Sequence, residues 1–311
     1  MGIRNLIRRV SLPPPSIRGE EDLFDDEFQR KLEYLAIVSR RVFGGRMRAE
    51  RRTKKSGSGI EFADHRDYVP GDDFRYLDWN VYQRFGRLLL RLYEEEEDLS
   101  IYIIVDTSSS MGFGRNKKIV YAKRLAAALA YIGLANLDRV TMVTTTDHVM
   151  DRMPPTRGKQ RIFKVFQFLR MAHADGTTDL GSALKTFVSQ HKRRGLAILL
   201  SDLYDPAGFE AGINVLRYNK FEPFVLHLVD RSEARPALRG DVRVYDCETG
   251  EEREVTVTAR VLDKYKEAYE AYLEEIKLFC TAKQVPYVNA DIVVPFDEMV
   301  LRVLRRGGMV D

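Results

Sequence analysis

Hydrophobic and polar positions alternate with two different periods along this chain, and the two periods separate predicted helices from predicted strands. Residues 25–43 place Phe28, Leu32 and Leu35 at helical spacing and predict an amphipathic helix. From residue 88 onward, short apolar runs alternate with longer amphipathic segments. The predicted strands are 88–93, 100–105, 140–145, 196–201, 224–229 and 287–290, and the predicted helices are 117–134, 162–171, 180–190, 207–218, 261–280 and 297–305.

This alternation predicts the fold class. The strand at 196–201 (LAILLS) is a continuous apolar run, which is typical of a strand buried on both faces of a parallel sheet. We therefore expect an α/β fold, with layers of helices around a mostly parallel sheet. Two short strands around Glu248-Thr249-Gly250 predict a β-hairpin within residues 231–258, and KKSGSG at residues 54–59 predicts a loop.

The same pattern divides the chain into three parts. Pro13-Pro14-Pro15 lies within a flexible N-terminal arm, residues 1–24, and separates its start from the rest of the chain. Residues 25–98 hold the first helix and a polar, aromatic-rich block without a clean period, and we expect them to form one subdomain. Residues 99–311 form the α/β domain, with residues 231–258 as its hairpin insertion.

Composition limits the classes of function. The chain has 311 residues, of which 44% are hydrophobic and 31% charged, as in ordinary soluble proteins with a large core. Its apolar runs are too short to span a bilayer, and its first residues do not have the apolar core of a secretory signal. Two cysteines, Cys247 and Cys280, are too few for a disulfide framework or a thiolate zinc site, so we expect a cytoplasmic protein.

The net charge of +4 comes from the N-terminal part of the chain. Eight Lys and Arg residues lie between Arg40 and Lys55, with Glu50 as the only acid. Such a segment can bind nucleic acid or another anionic surface, and a solvated linker is the alternative that we prefer. Nucleic acid is therefore the less favoured partner.

Two predicted strands run directly into aspartates. Asp106, Ser108 and Ser110 follow the strand at 100–105, Asp202 follows the strand at 196–201, and Thr178 precedes a helix. Because the carboxyl ends of parallel strands meet at one edge of a sheet, we expect these side chains to lie together. Carboxylate and hydroxyl oxygens are hard donors, so the five residues predict a site for Mg²⁺ or Mn²⁺. The alternative is that the aspartate and serines only cap the following helix.

These residues resemble the metal-ion-dependent adhesion site of von Willebrand factor type A domains. The likeness lies in Asp-x-Ser-x-Ser at residues 106–110, in the threonine of GTTDLGSAL and in the aspartate after the buried strand. It implies a von Willebrand factor A-like (Rossmann-like) fold, and an ion that keeps one position open for a partner's carboxylate. Thr177 and Leu203 stand where glycine is common in that family.

The block at residues 59–84, GIEFADHRDYVPGDDFRYLDWNVYQR, which we call the signature block, resembles domain-of-unknown-function family 58. Members of that family typically sit beside MoxR-type AAA+ ATPases, so the resemblance implies such an ATPase as a partner. The block contains Asp72, Asp73, Arg75, Asp78, Trp79 and Arg84. Its charges favour a structural salt-bridge network with Trp79 in the core, and the alternative is a partner-docking face with Trp79 as an aromatic anchor.

Together the patterns favour a non-enzymatic, Mg²⁺-dependent protein-binding adaptor that acts with a MoxR-type ATPase in chaperone-like assembly or remodelling. The motifs of enzymes are missing: the sequence has no phosphate-binding P-loop, no Gly-x-Ser-x-Gly elbow and no histidines at metal spacing. A metal-dependent phosphoester hydrolase at the same acidic edge stays open as an alternative, although both aspartates would be used as ligands.

Overall fold

The computed structural model describes residues 23–43, 52–56, 61–96, 99–113 and 117–305, and it divides into two compact units. Unit 1 contains residues 23–39 and 99–305, and unit 2 contains the described residues between 40 and 98. Most of the predicted N-terminal arm and the side chains of the basic Arg40–Lys55 segment lie outside the described residues. In the described ranges, no helix has the length and apolar character needed to cross a membrane.

The described residues form eleven strands and nine helices. The strands are β1 (Arg52–Ser56), β2 (Glu61–Asp67), β3 (Leu89–Glu96), β4 (Ser100–Asp106), β5 (Arg139–Thr145), β6 (Val149–Thr156), β7 (Leu196–Ser201), β8 (Glu222–Val229), β9 (Gly240–Tyr245), β10 (Glu252–Val257) and β11 (Tyr287–Asp291). The helices are α1 (Asp26–Phe43), α2 (Trp79–Phe85), α3 (Lys118–Ala135), α4 (Ile162–Met171), α5 (Leu180–Gln190), α6 (Phe209–Tyr218), α7 (Arg231–Ala234), α8 (Ala259–Ala282) and α9 (Phe296–Leu304).

Unit 1 is built on a six-stranded sheet in the order β11-β8-β7-β4-β5-β6. Only the edge strand β6 is antiparallel to its neighbour. Numbered along the chain, these strands follow the 3-2-1-4-5-6 order of doubly wound α/β folds. The predicted α/β fold class with a mostly parallel sheet is confirmed.

Helices cover both faces of this sheet. Tyr102 and Ile104, which share one face of β4, pack in a core with side chains of α5, α6 and α8. On the other face lies α3, where Gly133 lets the helix approach the side chains of Ile101 and Val140. Because both faces are covered, the sheet is buried and its apolar strands read as continuous runs.

Residues 26–39 of the first helix belong to unit 1, which differs from the prediction that grouped the helix with residues 25–98. Phe24 stacks on Phe166 of α4 with ring centroids 4.4 Å apart, and Phe28 lies 4.7 Å from the ring of Phe296 in α9. Phe24, which the sequence placed at the end of the flexible arm, is itself buried. The apolar face of α1 predicts burial but cannot reveal which helices bury it.

Unit 2 contains an antiparallel sheet in the order β1-β3-β2, and the short helix α2 lies between β2 and β3 along the chain. The predicted loop at residues 54–59 is partly wrong, because residues 54–56 pair with β3 as part of β1. The predicted strand at residues 88–93 also ends too early, since β3 continues to Glu96. Pairing between strands overrides the local polarity of both segments.

Two further elements of unit 1 bear on the prediction. The strand β6 was not predicted, because its polar positions and its Pro154-Pro155 pair hide it, and prolines are tolerated at a sheet edge. The predicted hairpin is confirmed: β9 and β10 pair with each other from Val257↔Gly240 to Glu252↔Tyr245. These two strands form a separate two-stranded sheet.

Candidate functional site

The candidate site lies where β4 and β7 end, side by side in the middle of the sheet. The two strands pair in parallel from Ile101↔Leu196 to Val105↔Leu200. The connection after β4 runs through α3 on one face, and the connection after β7 runs through α6 on the other. Such a switch point opens a crevice beyond the carboxyl ends of the strands, which is the usual ligand site of these folds.

Asp106 ends β4 and is fully buried. Its Oδ1 accepts a hydrogen bond from the Ser108 backbone N–H at 2.9 Å, and its Oδ2 accepts one from the Ser201 hydroxyl at 2.5 Å. The hydroxyl oxygens of Ser108 and Ser110 lie 3.0 Å apart. Burial and the nearby negative charge of Asp202 raise the pKa of Asp106 to about 7. No cationic side chain among the described residues forms an ion pair with it.

The helix-cap alternative does not account for this arrangement. Ser108 begins a short 3₁₀ turn, Ser109–Gly112, without a capping hydrogen bond from its side chain. The helix α3 begins after Lys117, whose side chain makes no capping bond either. The predicted aspartate and serines therefore lie together at the strand end and do not cap α3.

Thr178 reaches the same edge of the sheet from the loop before α5. Backbone hydrogen bonds join the two loops: Ser109 N–H donates to the Gly176 carbonyl at 3.0 Å, and Asp175 N–H donates to the Thr107 carbonyl at 2.8 Å. The Thr178 hydroxyl donates to a carboxylate, that of Glu248, at 2.8 Å. A hydroxyl that donates its proton keeps its lone pairs available to a cation.

Asp202 has a cationic partner that sequence reasoning missed. Lys118 is only 1% exposed, its Nζ lies 2.8 Å from Asp202 Oδ2, and it also forms an ion pair with Glu233. Burial alone would raise the pKa of Asp202, but the Lys118 ammonium outweighs burial and lowers it. Asp202 Oδ1 accepts from the Tyr204 backbone N–H at 3.2 Å. Both oxygens of Asp202 are therefore engaged by groups of the protein.

A neutral histidine braces the Asp202 loop. His227 is buried, and its burial lowers its pKa to about 4. Its Nε2 lies 3.1 Å from the backbone carbonyl of Asp202, and its Nδ1 lies 2.9 Å from the Tyr287 hydroxyl. In the neutral ring one nitrogen donates and the other accepts, so the two contacts are satisfied together when Nε2 carries the proton. This histidine supports the loop and is not placed as a ligand.

The donor set suits a hard divalent cation, with one reservation at Asp202. Asp106 and the three predicted hydroxyl ligands are oxygen donors of the kind that Mg²⁺ prefers. The buried hydroxyl of Thr145, in register with Asp106, has no hydrogen-bond partner within the described chain. Asp202 fits less directly, because Lys118 already engages it. In the described ranges no three His, Cys, Asp or Glu side chains are grouped to hold a metal, so the predicted site depends on hydroxyl oxygens.

Comparison with known families identifies the chain. The family model described as "Protein of unknown function DUF58" matches residues 64–275, which span the candidate site and most of the signature block. The chain belongs to the DUF58 family. Uncharacterized protein Rv1480 of Mycobacterium tuberculosis and Uncharacterized protein Mb1516 of Mycobacterium bovis are each 25% identical to it over 269 residues, 85% of this chain and 84% of theirs.

Solved structures resemble the DUF58 chain only weakly. BatB from Bacteroides thetaiotaomicron has a TM-score of 0.43 and 13% identity, over 68% of this chain and 98% of BatB. The manganese-loaded TRAP protein of Plasmodium vivax has a TM-score of 0.31 and 20% identity, over 42% of this chain and 57% of TRAP. Structural similarity this weak supports no conclusion about the DUF58 chain. Its fold is assigned from its own strand order.

The signature block of the DUF58 chain forms a charge network within unit 2. Arg66 pairs with Asp72 at 2.7 Å, and Arg75 pairs with Asp73 at 2.6 Å. These exposed pairs each contribute little to stability. They agree with the structural interpretation of the block.

Asp78 is the most strongly connected residue of that network. Its Oδ1 accepts from the backbone N–H groups of Asn80 at 3.0 Å and Val81 at 3.3 Å, so it caps α2. Its Oδ2 lies 3.0 Å from His65 Nε2 and 3.0 Å from Arg91 Nε. Hydrogen bonds from Arg91 and His65 lower the pKa of Asp78.

Trp79 differs from the expectation of a core residue. It is 55% exposed and makes an edge-to-face contact with Tyr82, at 6.2 Å between ring centroids. Arg84 is also exposed on α2. The expectation that Trp79 is buried in the core is therefore wrong. The alternative, that α2 is a partner-docking face, stays a prediction.

Proposed function

We propose that this chain is a non-enzymatic, metal-dependent adaptor that binds a carboxylate of a partner protein at the switch point of the unit 1 sheet. The observation that supports this most is the environment of Asp106. It is a fully buried carboxylate whose pKa is raised to about 7 and which accepts from the Ser201 hydroxyl and the Ser108 backbone N–H. A divalent cation would offset the negative charge that burial and Asp202 make costly there.

Asp106, Ser108, Ser110 and Thr178 would hold Mg²⁺ or Mn²⁺, with Asp202 adding negative charge behind them. Bound there, the ion would supply a positive centre for an Asp or Glu side chain of the partner. The chain's own groups prepare the site: backbone and hydroxyl donors fix the Asp106 carboxylate, and the Asp202 ion pair fixes the second strand end.

A MoxR-type AAA+ ATPase is the partner that we propose, with chaperone-like assembly or remodelling in the cytoplasm as the setting. DUF58 membership supports this through the family resemblance of the signature block. The exposed aromatic rings of Trp79 and Tyr82 offer a second contact surface of the kind that anchors interfaces. Both cysteines are free thiols, which agrees with a reducing compartment.

Calorimetric titration of Mg²⁺ and Mn²⁺ into the wild type and Asp106→Asn tests the metal assignment. We expect binding to the wild type and at least about tenfold weaker binding to the variant, as loss of a site ligand or its support typically gives. The matched control is Asp175→Asn, an exposed acid in the Thr178 loop, which should bind as the wild type does. Circular dichroism establishes that each variant is folded.

Equal metal binding by the wild type and Asp106→Asn would overturn the assignment. Assay of a generic phosphoester on the same proteins addresses the hydrolase alternative. Turnover by the wild type that disappears in Asp106→Asn would replace the adaptor with an enzyme.

A further inference from the structure

Glu248 brings a carboxylate of the chain itself to the candidate site. Its Oε1 accepts from the Thr178 hydroxyl at 2.8 Å, and its Oε2 accepts from the Thr178 backbone N–H at 3.1 Å. Thr178 is one of the four residues that would hold the ion. A carboxylate is also the group that the proposed function assigns to the partner, so the chain carries the same chemistry at the same edge.

The turn between β9 and β10 holds Glu248 in position. Asp246 Oδ1 accepts from the backbone N–H groups of Glu248 at 2.9 Å and Thr249 at 3.2 Å. Gly250 N–H donates to the Asp246 carbonyl at 2.9 Å, and Gly250 has φ of +72°, which glycine adopts without a steric cost. The carboxylate is therefore directed by a built turn and not by a freely rotating surface side chain.

The hairpin that carries Glu248 is structurally separate from the central sheet. Its strands β9 and β10 pair with each other, and a single two-stranded hairpin is only marginally stable by itself. Val244 is the one fully buried position of β9, and β10 has none. The hairpin can therefore leave the site without disrupting any pairing in the six-stranded sheet.

We propose that Glu248 is a tethered ligand that closes the site, and that a partner carboxylate binds by displacing it. This inference rests on the proposed function and adds a regulatory element to it. While Glu248 is docked, only the undocked fraction of molecules accepts a partner carboxylate, so the apparent affinity is reduced by that fraction. A partner that also holds the hairpin away from Thr178 would relieve this competition.

Cys247 provides a direct reporter of docking. It is adjacent to Glu248 and half-buried, whereas Cys280 is buried in the core and is replaced by Ser in every protein tested. We expect Glu248→Gln to raise the rate of Cys247 labelling by a disulfide reagent about tenfold, the effect of losing one hydrogen bond to a charged group. The control Glu252→Gln, exposed on β10, should label as the parent does.

Thr178→Val separates undocking from a purely electrostatic effect on the thiol. It removes the hydroxyl that Glu248 accepts from, but it leaves the Glu248 charge beside Cys247. The Thr178 backbone N–H still donates to Glu248 Oε2, so we expect Thr178→Val to raise labelling, but by less than Glu248→Gln does. An unchanged rate in both variants would show that the contact does not hold the hairpin, and would overturn the proposal.

Competition is measured on the Mn²⁺-loaded protein with N-acetyl-glutamate as the carboxylate probe. Glu248→Gln should bind the probe about tenfold more tightly than the wild type, because the tethered competitor is gone. Equal probe binding with intact Mn²⁺ binding would overturn the tethered-ligand proposal and leave the adaptor function in place. Failure of the wild type to bind Mn²⁺ would overturn the adaptor function and the competition with it, while labelling would still decide whether Glu248 docks.

Discussion

Two buried aspartates at neighbouring strand ends differ in how their charge is compensated. Asp202 is paired with the buried ammonium of Lys118, whereas Asp106 has only hydroxyl and backbone donors. Lys118 also serves Glu233, whose pKa is raised by burial. Lys118 thus compensates two carboxylates, and Asp106, which has no such partner among the described residues, is the carboxylate whose charge the proposed cation would offset.

Replacing Lys118 with Met tests this charge balance. Removal of one partner from a buried ion pair costs about 3–5 kcal/mol, so urea unfolding should show a loss of that size. Adding Glu233→Gln to Lys118→Met should recover part of it, because one of the stranded charges is then neutral. Lys185→Met, at an exposed position of α5, should change the free energy of unfolding by less than about 0.5 kcal/mol. A Lys118→Met protein as stable as the wild type would contradict the assigned role.

Leu203 and Thr177, which stand where glycine is common in the adhesion-site pattern, differ in their structural consequences. Leu203 has φ of +59° and is fully buried in the unit 1 core. The left-handed backbone costs about 1–3 kcal/mol, and burial of the leucine side chain contributes about 1.5–3 kcal/mol, which offsets it. Thr177 is exposed, so its side chain adds no core packing.

At the level of elements, the sequence predicted best those segments whose ends carry a local signal. The bounds of α5 coincide with the prediction, because Asp179 caps the helix by accepting from the Ser182 N–H at 2.8 Å. The bounds of β7 also coincide with the prediction, because Leu196–Leu200 are all apolar and Ser201 ends the run. The helix α2, with seven residues, is too short to show a helical period.

The site was predicted from strand ends, and its supporting residues were not. Asp106, Ser108 and Ser110 are marked by their position after an apolar strand. Ser201 and Lys118 carry no such mark in the sequence. Ser201 bonds Asp106, which is 95 residues away in the chain, and Lys118 bonds Glu233, which is 115 residues away. Only the strand order, which fixes β4 beside β7, brings these groups together.

Asp78 connects the stability of unit 2 to pH through the cap of α2. Because its pKa is lowered in the folded state, ionised Asp78 stabilises unit 2 above the ordinary carboxyl pKa near 4. That contribution is lost as the pH falls from about 4 toward the lowered pKa of Asp78. Asp78→Asn should therefore unfold at a lower temperature than the wild type at pH 7, and the difference should shrink in acid.

The fluorescence of Trp79, the only tryptophan of the chain, measures this transition within unit 2. Asp73→Asn is the matched control, because Asp73 is exposed and pairs with Arg75 in the same block. Its melting temperature should stay close to that of the wild type at every pH. A gap between Asp78→Asn and the wild type that persists undiminished at pH 2 would rule out the titration of Asp78 as its cause.

At the scale of the whole molecule, the units do not follow one another along the sequence. Unit 2 begins in the last turn of α1 and ends before β4, and the earlier turns of α1 pack against helices of unit 1. Phe28→Ala should therefore destabilise unit 1 by about 3–5 kcal/mol, as truncation of a buried phenylalanine does. Hydrogen exchange should quicken in α4 and α9, which contact the lost ring.

Tyr34→Ala provides the control on the same helix, because Tyr34 is 61% exposed. It should change the stability of unit 1 by less than about 0.5 kcal/mol. If Phe28→Ala were equally harmless, α1 would be an appendage and not a part of the unit 1 core.

The strand β4 is the first strand of the central sheet to be synthesised, yet it lies in the middle of that sheet. Ser201, which donates to Asp106, leaves the ribosome 95 residues later, an interval of roughly 5–20 seconds at usual rates of translation. Parallel pairing over such a separation forms slowly, because the loop must close first. A nascent chain therefore carries β4 with an open edge toward the missing β7. Ribosome-associated chaperones would meet this strand before the site that it helps to build exists.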